Sequence, residues 1–343
     1  MYNIAGWKKD EEIMSSKLSP VAHSVLHLPL KSWWHICKRV VKKTQEHNLP
    51  IVAAGVAFYF LLAIFPLLGA LISLYGLMVS PEELREHMAM LVDVVPSQSR
   101  YILEEQLKNL TEKSSSTLSW GLILSIVLSL WSSSKGANAL ITACNITYNE
   151  SKGRNFFKGL LARMTGTTSI ILTIILALAL ITIVPKWISW ATAGFISTAQ
   201  ANFITLPIML LLFNASLSAL YRYGPHRRPA KWRWVTTGSI MATVLWILAS
   251  YGFSFYLSEF ASYNKTYGSV GGIIILLMWL YLTAYIILLG AEVNAAIELQ
   301  TSADSTVGDE KPKGDRGAFV ADNTPEDLRN MKAREKSPFQ QKE

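Results

Sequence analysis

Six stretches of this chain are each long and apolar enough to cross a hydrocarbon core of about 30 Å, a distance that takes about 20 helical residues. They fall near residues 50–79, 118–142, 165–185, 203–222, 235–257 and 269–297. A backbone in lipid must satisfy its own polar groups, so such segments fold as helices. The fold class expected is all-α: a polytopic membrane protein built as a six-transmembrane-helix bundle. Composition agrees, since 51% of the 343 residues are hydrophobic and 16% charged, too apolar for a soluble domain of this size.

The connections orient the bundle. Residues 1–49 carry eight Lys or Arg, and the links 143–164 and 222–234 are again basic. Residues 80–117 hold seven acids against four bases, and the links 186–202 and 258–268 hold one Lys each. By the positive-inside rule both termini are expected in the cytosol. The same distribution accounts for the net charge of +8 without nucleic acid as a partner. Three regions follow: a cytosolic N-terminal segment over 1–49, a membrane domain over 50–298 and a tail over 299–343. Within the membrane domain, two short amphipathic stretches between about 80 and 117 predict a small external helical cap. The tail loses apolar periodicity and is rich in charge, Pro and Gly, so it is expected to be disordered. No short apolar run with a cleavage site follows the polar N-terminus, so no signal peptide is expected.

LKSWWHICKRVVKK precedes the first span. It predicts an interfacial amphipathic helix with Leu30, Trp33, Trp34, Cys37, Val40 and Val41 on one side and Lys31, Lys38, Arg39 and Lys42 on another. Cys37 and Cys144 make no disulfide framework and are expected as free thiols.

Polar residues inside the spans are the candidate functional residues, because an ionisable group at bilayer depth is costly and finds a partner or a watery cavity. The second span offers only fourteen mostly apolar residues before SSSKGANALITACN, so its helix must continue through the polar run. Ser134, Asn138, Thr142 and Asn145 then form a stripe expected to face the bundle interior, with Lys135 beside it. Counted along their helices, Lys135 lies about 25 Å from Leu118 and Glu292 about 33 Å from Val270, so both approach the cytosolic boundary. They are expected to be partners, directly or through Asn138; snorkelling of Lys135 to the headgroups is the alternative. On the last helix Tyr281, Tyr285 and Glu292 share a face, with Asn294 nearby. They either line a polar pathway or hydrogen-bond helix to helix. Pro66 frees a carbonyl in the first span and is a candidate hinge. Gly238 and Ala242 suit close helix packing.

AFYFLLAIFPLL, WSSSKGANALITACNITY, LYRYGP and YGSVGGIIILLMWLYLTAYIILLGAEVNAA, in order between about residues 40 and 300, resemble the YihY/BrkB family of bacterial inner-membrane proteins. Ala63 stands where that family often has a serine. The resemblance implies a six-helix inner-membrane protein with cytosolic termini. It links the chain to envelope integrity, serum resistance and lipid or lipopolysaccharide export, and to the inherited name ribonuclease BN.

Nothing in the residues supports a ribonuclease. A metal-dependent nuclease clusters His and Asp ligands, whereas His23 and His27 have no neighbouring acid and His35, His47, His87 and His226 are scattered. No Walker loop or nucleophile elbow is present, so an enzyme, a metal and a cofactor are not expected. The basic stretch with Arg222, Arg227, Arg228, Lys231 and Arg233, flanked by Trp232 and Trp234, is read as a set of headgroup contacts, making anionic membrane lipids the expected partner. Oligomeric state stays open. The function expected is envelope homeostasis by a transporter or flippase-like protein for an amphiphilic or anionic lipid-related substrate. Glu292 is its candidate proton carrier, and the alternative is a non-transporting scaffold or assembly factor.

Overall fold

A computed structural model describes residues 30–75, 83, 100, 120–151, 154–192, 195, 198–259 and 263–331. The expected external cap lies outside these residues apart from Glu83 and Arg100, as do His23, His27 and the end of the tail. Seven long helices carry the fold: α1 Leu30–Glu46, α2 Leu49–Tyr75, α3 Trp120–Thr147, α4 Phe156–Ala191, α5 Thr198–Tyr223, α6 Trp232–Glu259 and α7 Tyr263–Glu298. A short α8 follows at Phe319–Asp322.

Helices α2 to α7 each pack on the next, and α7 returns to α2, so the bundle closes on itself. Helix α7 also touches α3 and α1, and is the most buried of the membrane-crossing helices. Five helices are long and apolar enough to cross a membrane among the described residues: Leu49–Leu68, Phe156–Ala191, Phe203–Tyr223, Trp232–Leu257 and Gly271–Glu298. The expected sixth span, α3, is helical throughout yet is not one of the five, because its second half carries the run SSSKGAN. Pro66 sits inside α2 without ending it, as Pro185 does in α4 and Pro207 in α5.

Exposed aromatic side chains concentrate at two levels on this bundle, with Phe58, Tyr59 and Trp131 exposed between them. Trp34, Phe156, Phe157, Tyr223 and Trp232 ring one end, and Trp187, Trp190, Phe203, Tyr251 and Phe255 the other. From Phe203 to Tyr223 along α5, or from Trp232 to Tyr251 along α6, the rise is about 30 Å, the thickness of a hydrocarbon core. Aromatic girdles at that spacing are the mark of two membrane interfaces.

The tail corrects its expectation. From Leu299 to Met331 it is not disordered but packs onto the end of the bundle where α7 finishes, here called the tail end. Its order does not come from apolar periodicity. Arg316 donates to the carbonyls of Ser302, Lys311 and Ala321, and Asp322 accepts the amides of Gly314, Arg316 and Gly317. Gly314 and Gly317 hold positive φ, which the turns require. Val320 then joins a core with Ile36 and Val40 of α1, Ala295 of α7 and Leu299 just after it, and Ala321 is buried beside it. Helix α1 is amphipathic as expected, but it buries Ser32, Ile36 and Val40 against the bundle and leaves Trp34, Cys37 and Val41 exposed. Packing on α7 sets that rotation.

Candidate functional site

The polar residues of α7 gather at the tail end, where its last turns are enclosed by α1, by residues 148–150, by residues 224–231 and by the tail. Every residue from Gly290 to Gln300 is buried. Backbone polar groups there are bonded within the helix, but each polar side chain must find a partner of its own. Three do so in three directions.

Glu292 reaches the turn between α1 and α2, where its Oε1 meets His47 Nδ1, and His47 Nε2 faces Asn149 Oδ1 at 3.2 Å. Nε2 donates to the Asn149 oxygen, so the proton shared with Glu292 sits on either the imidazole or the carboxyl. Both His47 and Asn149 are next to, or at, left-handed residues: Asn48 has φ 48° and Asn149 φ 57°. Asn is the residue that tolerates this conformation best after Gly. The partner of Glu292 is therefore His47, not Lys135. Lys135 is exposed, on a different side of α3 from the one that faces the core.

Asn294 turns to α6. Its Oδ1 accepts the Gly238 amide at 2.7 Å and its Nδ2 donates to the Val235 carbonyl at 2.9 Å. The helices cross closely enough for this because Gly238 faces Gly290. A Cβ on Gly290 would stand 2.5 Å from the Tyr221 hydroxyl and 2.8 Å from Ala242 Cβ. Gly238 and Ala242 thus make the close contact their spacing predicts. The Tyr221 hydroxyl adds a bond to the Ile287 carbonyl at 2.7 Å.

Glu298 forms a bidentate pair with Arg227, at 2.9 and 2.7 Å, with both side chains fully out of solvent. The Ser305 hydroxyl donates to the same carboxylate at 2.9 Å, and the Arg227 guanidinium lies 4.2 Å over the Tyr148 ring. Burial opposes the charge of Arg227, but the neighbouring carboxylate outweighs it and holds its pKa above the ordinary value. Burial pushes the Tyr148 phenol up as well. A third acid, Glu150, accepts the Phe319 amide at 2.9 Å, and burial raises its pKa despite that bond and the nearby Arg227.

The other expected residues separate. Of the stripe on α3, Ser134 is buried and bonded to the Trp131 carbonyl, and Asn145 accepts the His226 amide at 2.6 Å. Asn138 and Thr142 are exposed, with Ser132 and Lys135 on the same flank. The predicted inward stripe fails because α3 turns its small and apolar face, with Ser133, Gly136, Ala137, Leu140 and Ala143, onto the bundle, which leaves Asn138 and Thr142 on the outer side. Tyr281 and Tyr285 stack at 6.2 Å and pack on the apolar cluster that joins α2, α3 and α7 through Leu49, Val56, Leu140, Ala143, Ala284 and Leu288. The contact these residues make between the second and last spans is apolar.

The basic loop also divides. Arg227 is a core residue, not a headgroup contact. Arg228 donates its amide to the Gly317 carbonyl, and Lys231 donates its amide to Ser305 and its Nζ to the Asp304 carbonyl. Arg222 lies 4.4 Å over Trp232 and 5.2 Å from Tyr223, and Arg233 is exposed. Trp234 is buried and cannot stack on a base. Cys37 and Cys144 are free thiols. Among the described residues no group of three or more His, Cys, Asp or Glu is placed to hold a metal ion. His47, Glu298 and Ser305 are the site residues that sequence reading missed. The one local signal was His47 in a polar link, TQEHN, directly before a membrane span.

The family described as Virulence factor BrkB matches residues 40–315 of this chain. A ribonuclease-like protein of Bacillus subtilis, YfkH, is 31% identical over 269 residues, which cover 76% of this chain and 94% of that protein. A UPF0761 membrane protein of Nitrosospira multiformis is 24% identical over 290 residues, 83% of this chain and 65% of the relative. Another of Tolumonas auensis is 27% identical over 265 residues, 75% of this chain and 83% of the relative. No solved structure matches the chain.

Proposed function

The chain belongs to the Virulence factor BrkB family, and on that premise we propose that it moves an amphiphilic, anionic lipid-related substrate across the bacterial inner membrane. In this reading the tail end faces the cytosol, as do both termini, in keeping with the basic links at that end. The observation that carries the reading is the exposed polar flank of α3. Ser132, Lys135, Asn138 and Thr142 leave the bundle on the side that lipid would cover. Polar groups facing hydrocarbon are expensive, so a set of four at helical spacing marks a path for something polar. A headgroup moving along this flank keeps its acyl chains in the bilayer, and Lys135 attracts its charge. Arg222 and Arg233 collect headgroups at the rim, and Pro66 lets α2 bend beside α3. Glu292 and His47 hold one proton between them, which gives the tail end a group that can couple movement to a proton gradient.

The second reading is a non-transporting scaffold whose α3 flank binds a helix of another membrane protein. The apolar cluster that joins α2, α3 and α7 favours it.

Leaflet-resolved lipid movement in proteoliposomes separates the two. Wild type is compared with Glu292→Ala, with a Lys135→Ala, Asn138→Leu, Thr142→Val variant and with empty vesicles, using anionic and zwitterionic lipids. Transport predicts movement above the empty control that drops at least tenfold in the triple variant. Movement equal to empty vesicles with folded protein establishes the scaffold reading instead.

A further inference from the structure

The two faces of α1 meet different surroundings. Ser32, Ile36 and Val40 are buried, and Ile36 and Val40 share a core with α7 and with Val320 of the tail. On the opposite side Trp34, Cys37, Lys38, Val41 and Lys42 are exposed, at helical spacings of three and four residues. Trp34 is 62% exposed and Val41 63%, so an apolar stripe runs along the outside of a helix whose inner face is already packed.

The chain holds this stripe beside the membrane. Helix α1 ends at Glu46, the His47 amide bonds the Lys43 carbonyl at 2.8 Å, and Asn48 takes a left-handed φ of 48° just before the first span begins at Leu49. A left-handed Asn past the last turn stops a helix and redirects the chain. Helix α1 is therefore separate from α2 and packs on α7 as well. Its Trp34 belongs with Phe156, Phe157, Tyr223 and Trp232, the other exposed aromatics of the tail-end girdle. Charge then selects the kind of surface. From Ser32 to Glu46 the helix holds Lys38, Arg39, Lys42 and Lys43 against one acid, Glu46. That acid is the last residue of the helix, pairs with Lys43 at 2.8 Å and acts on Arg39. Lys38 stands about 12 Å before it along the axis and lies 5.2 Å over the Trp34 ring. An indole beside an ammonium suits the headgroup layer, where the ring reaches the acyl boundary and the ammonium meets phosphates.

We propose that the outer face of α1, formed by Trp34, Cys37, Lys38, Val41 and Lys42, docks on an anionic bilayer surface. Lipid covers the apolar stripe, and the lysines hold the helix to a negatively charged leaflet. The bilayer and the tail thus occupy opposite faces of one helix. This surface stands whether or not the bundle transports, because none of its residues belongs to the α3 flank.

Cys37 makes the test direct, since it is exposed while Cys144 is buried. A nitroxide is attached to Cys37 of the full-length protein in vesicles of phosphatidylethanolamine and phosphatidylglycerol. Electron paramagnetic resonance then compares its collisions with oxygen, which concentrates in the bilayer, and with a neutral nickel chelate, which stays in water. Cys37→Ser checks that Cys144 takes no label, and Asp309→Cys on that background gives a reference in water, because Asp309 is exposed. The expected result is oxygen exceeding nickel at position 37 and the reverse at position 309. Replacing phosphatidylglycerol by phosphatidylcholine, or Lys38→Gln with Lys42→Gln, should raise nickel collisions at position 37 about twofold. The lipid exchange leaves the protein unaltered, which keeps loss of docking distinct from loss of fold. Nickel access at position 37 equal to that at 309 in the anionic vesicles overturns the proposal. So does a label shielded from both reagents, since another protein segment or a second copy would then cover the face. Access that is the same in both lipids, or unchanged by the lysine substitutions, overturns it too.

Discussion

At the tail end, the last turns of α7 and the two residues after it make eleven successive buried residues, from Gly290 to Gln300, and its carboxylates are bonded inside the protein. At the far end, α6 exposes Tyr251 to 73% and Gly252 has nothing within 4 Å of a built Cβ. The two ends of one bundle thus follow different physics. The tail end is organised like the interior of a soluble protein, with polar groups paired at specific geometry. The far end, among the described residues, meets its surroundings through aromatic and aliphatic side chains. Removing a partner should be severe at the first and mild at the second.

The largest effect is expected from Glu298→Ala. It strands the Arg227 guanidinium out of solvent, a change worth about 3–5 kcal/mol, to be read as loss of folded protein in a detergent melt. Arg227→Met with Glu298→Leu should recover most of it, because two apolar side chains leave no charge behind. A Glu298→Ala loss below about 1 kcal/mol would mean the pair does not hold the tail end. Gly290→Val comes next, at about 1–3 kcal/mol from overpacking against Tyr221 and Ala242; unfolding in denaturant measures it.

Acid should then undo the tail before the bundle. Burial acts to raise Asp304 and Asp327, but the Thr306 hydroxyl and amide hold Asp304, and Lys313 and Thr324 hold Asp327, below the ordinary carboxylate value. Folded-state pKa values below the unfolded ones lend stability that is present above the ordinary carboxylate range and lost as pH falls through the depressed values. The protection of residues 299–331 against hydrogen exchange, taken relative to the intrinsic rate at each pH, should therefore fall near pH 3 compared with pH 6, while α4 to α6 stay protected; an equal fall everywhere would erase the difference between the ends. The smallest effect is expected at the far girdle. Trp190→Ala changes an exposed side chain and should shift stability by no more than about 0.5 kcal/mol. A larger loss would show that the far end is held by contacts of its own.

Much of this was legible in the sequence because it rests on local pattern. Segment length and apolarity place α2 and α4 to α7, and the amphipathic run places α1, since a helix in lipid depends on its own residues. Gly238 and Ala242 announce a close crossing for the same reason: a small side chain is a property of the position. The α3 stripe was misread because spacing fixes which residues share a face but not which face packs inward, and the tail because its order comes from Arg316, Asp322 and turn glycines, which leave no periodicity to read.

The choice of partners was another matter. Sequence alone determined that Glu292 must be satisfied, because a carboxylate near the end of an apolar helix cannot stand unpaired. Only the tertiary structure decided that His47, 245 residues away, takes it, and only there does Glu298 emerge as the buried partner of Arg227. Several cations lay at the right depth. Which of them reaches a carboxylate depends on the rotation of each helix about its axis and on the path of the tail, and those are set by the packing of the whole bundle at once.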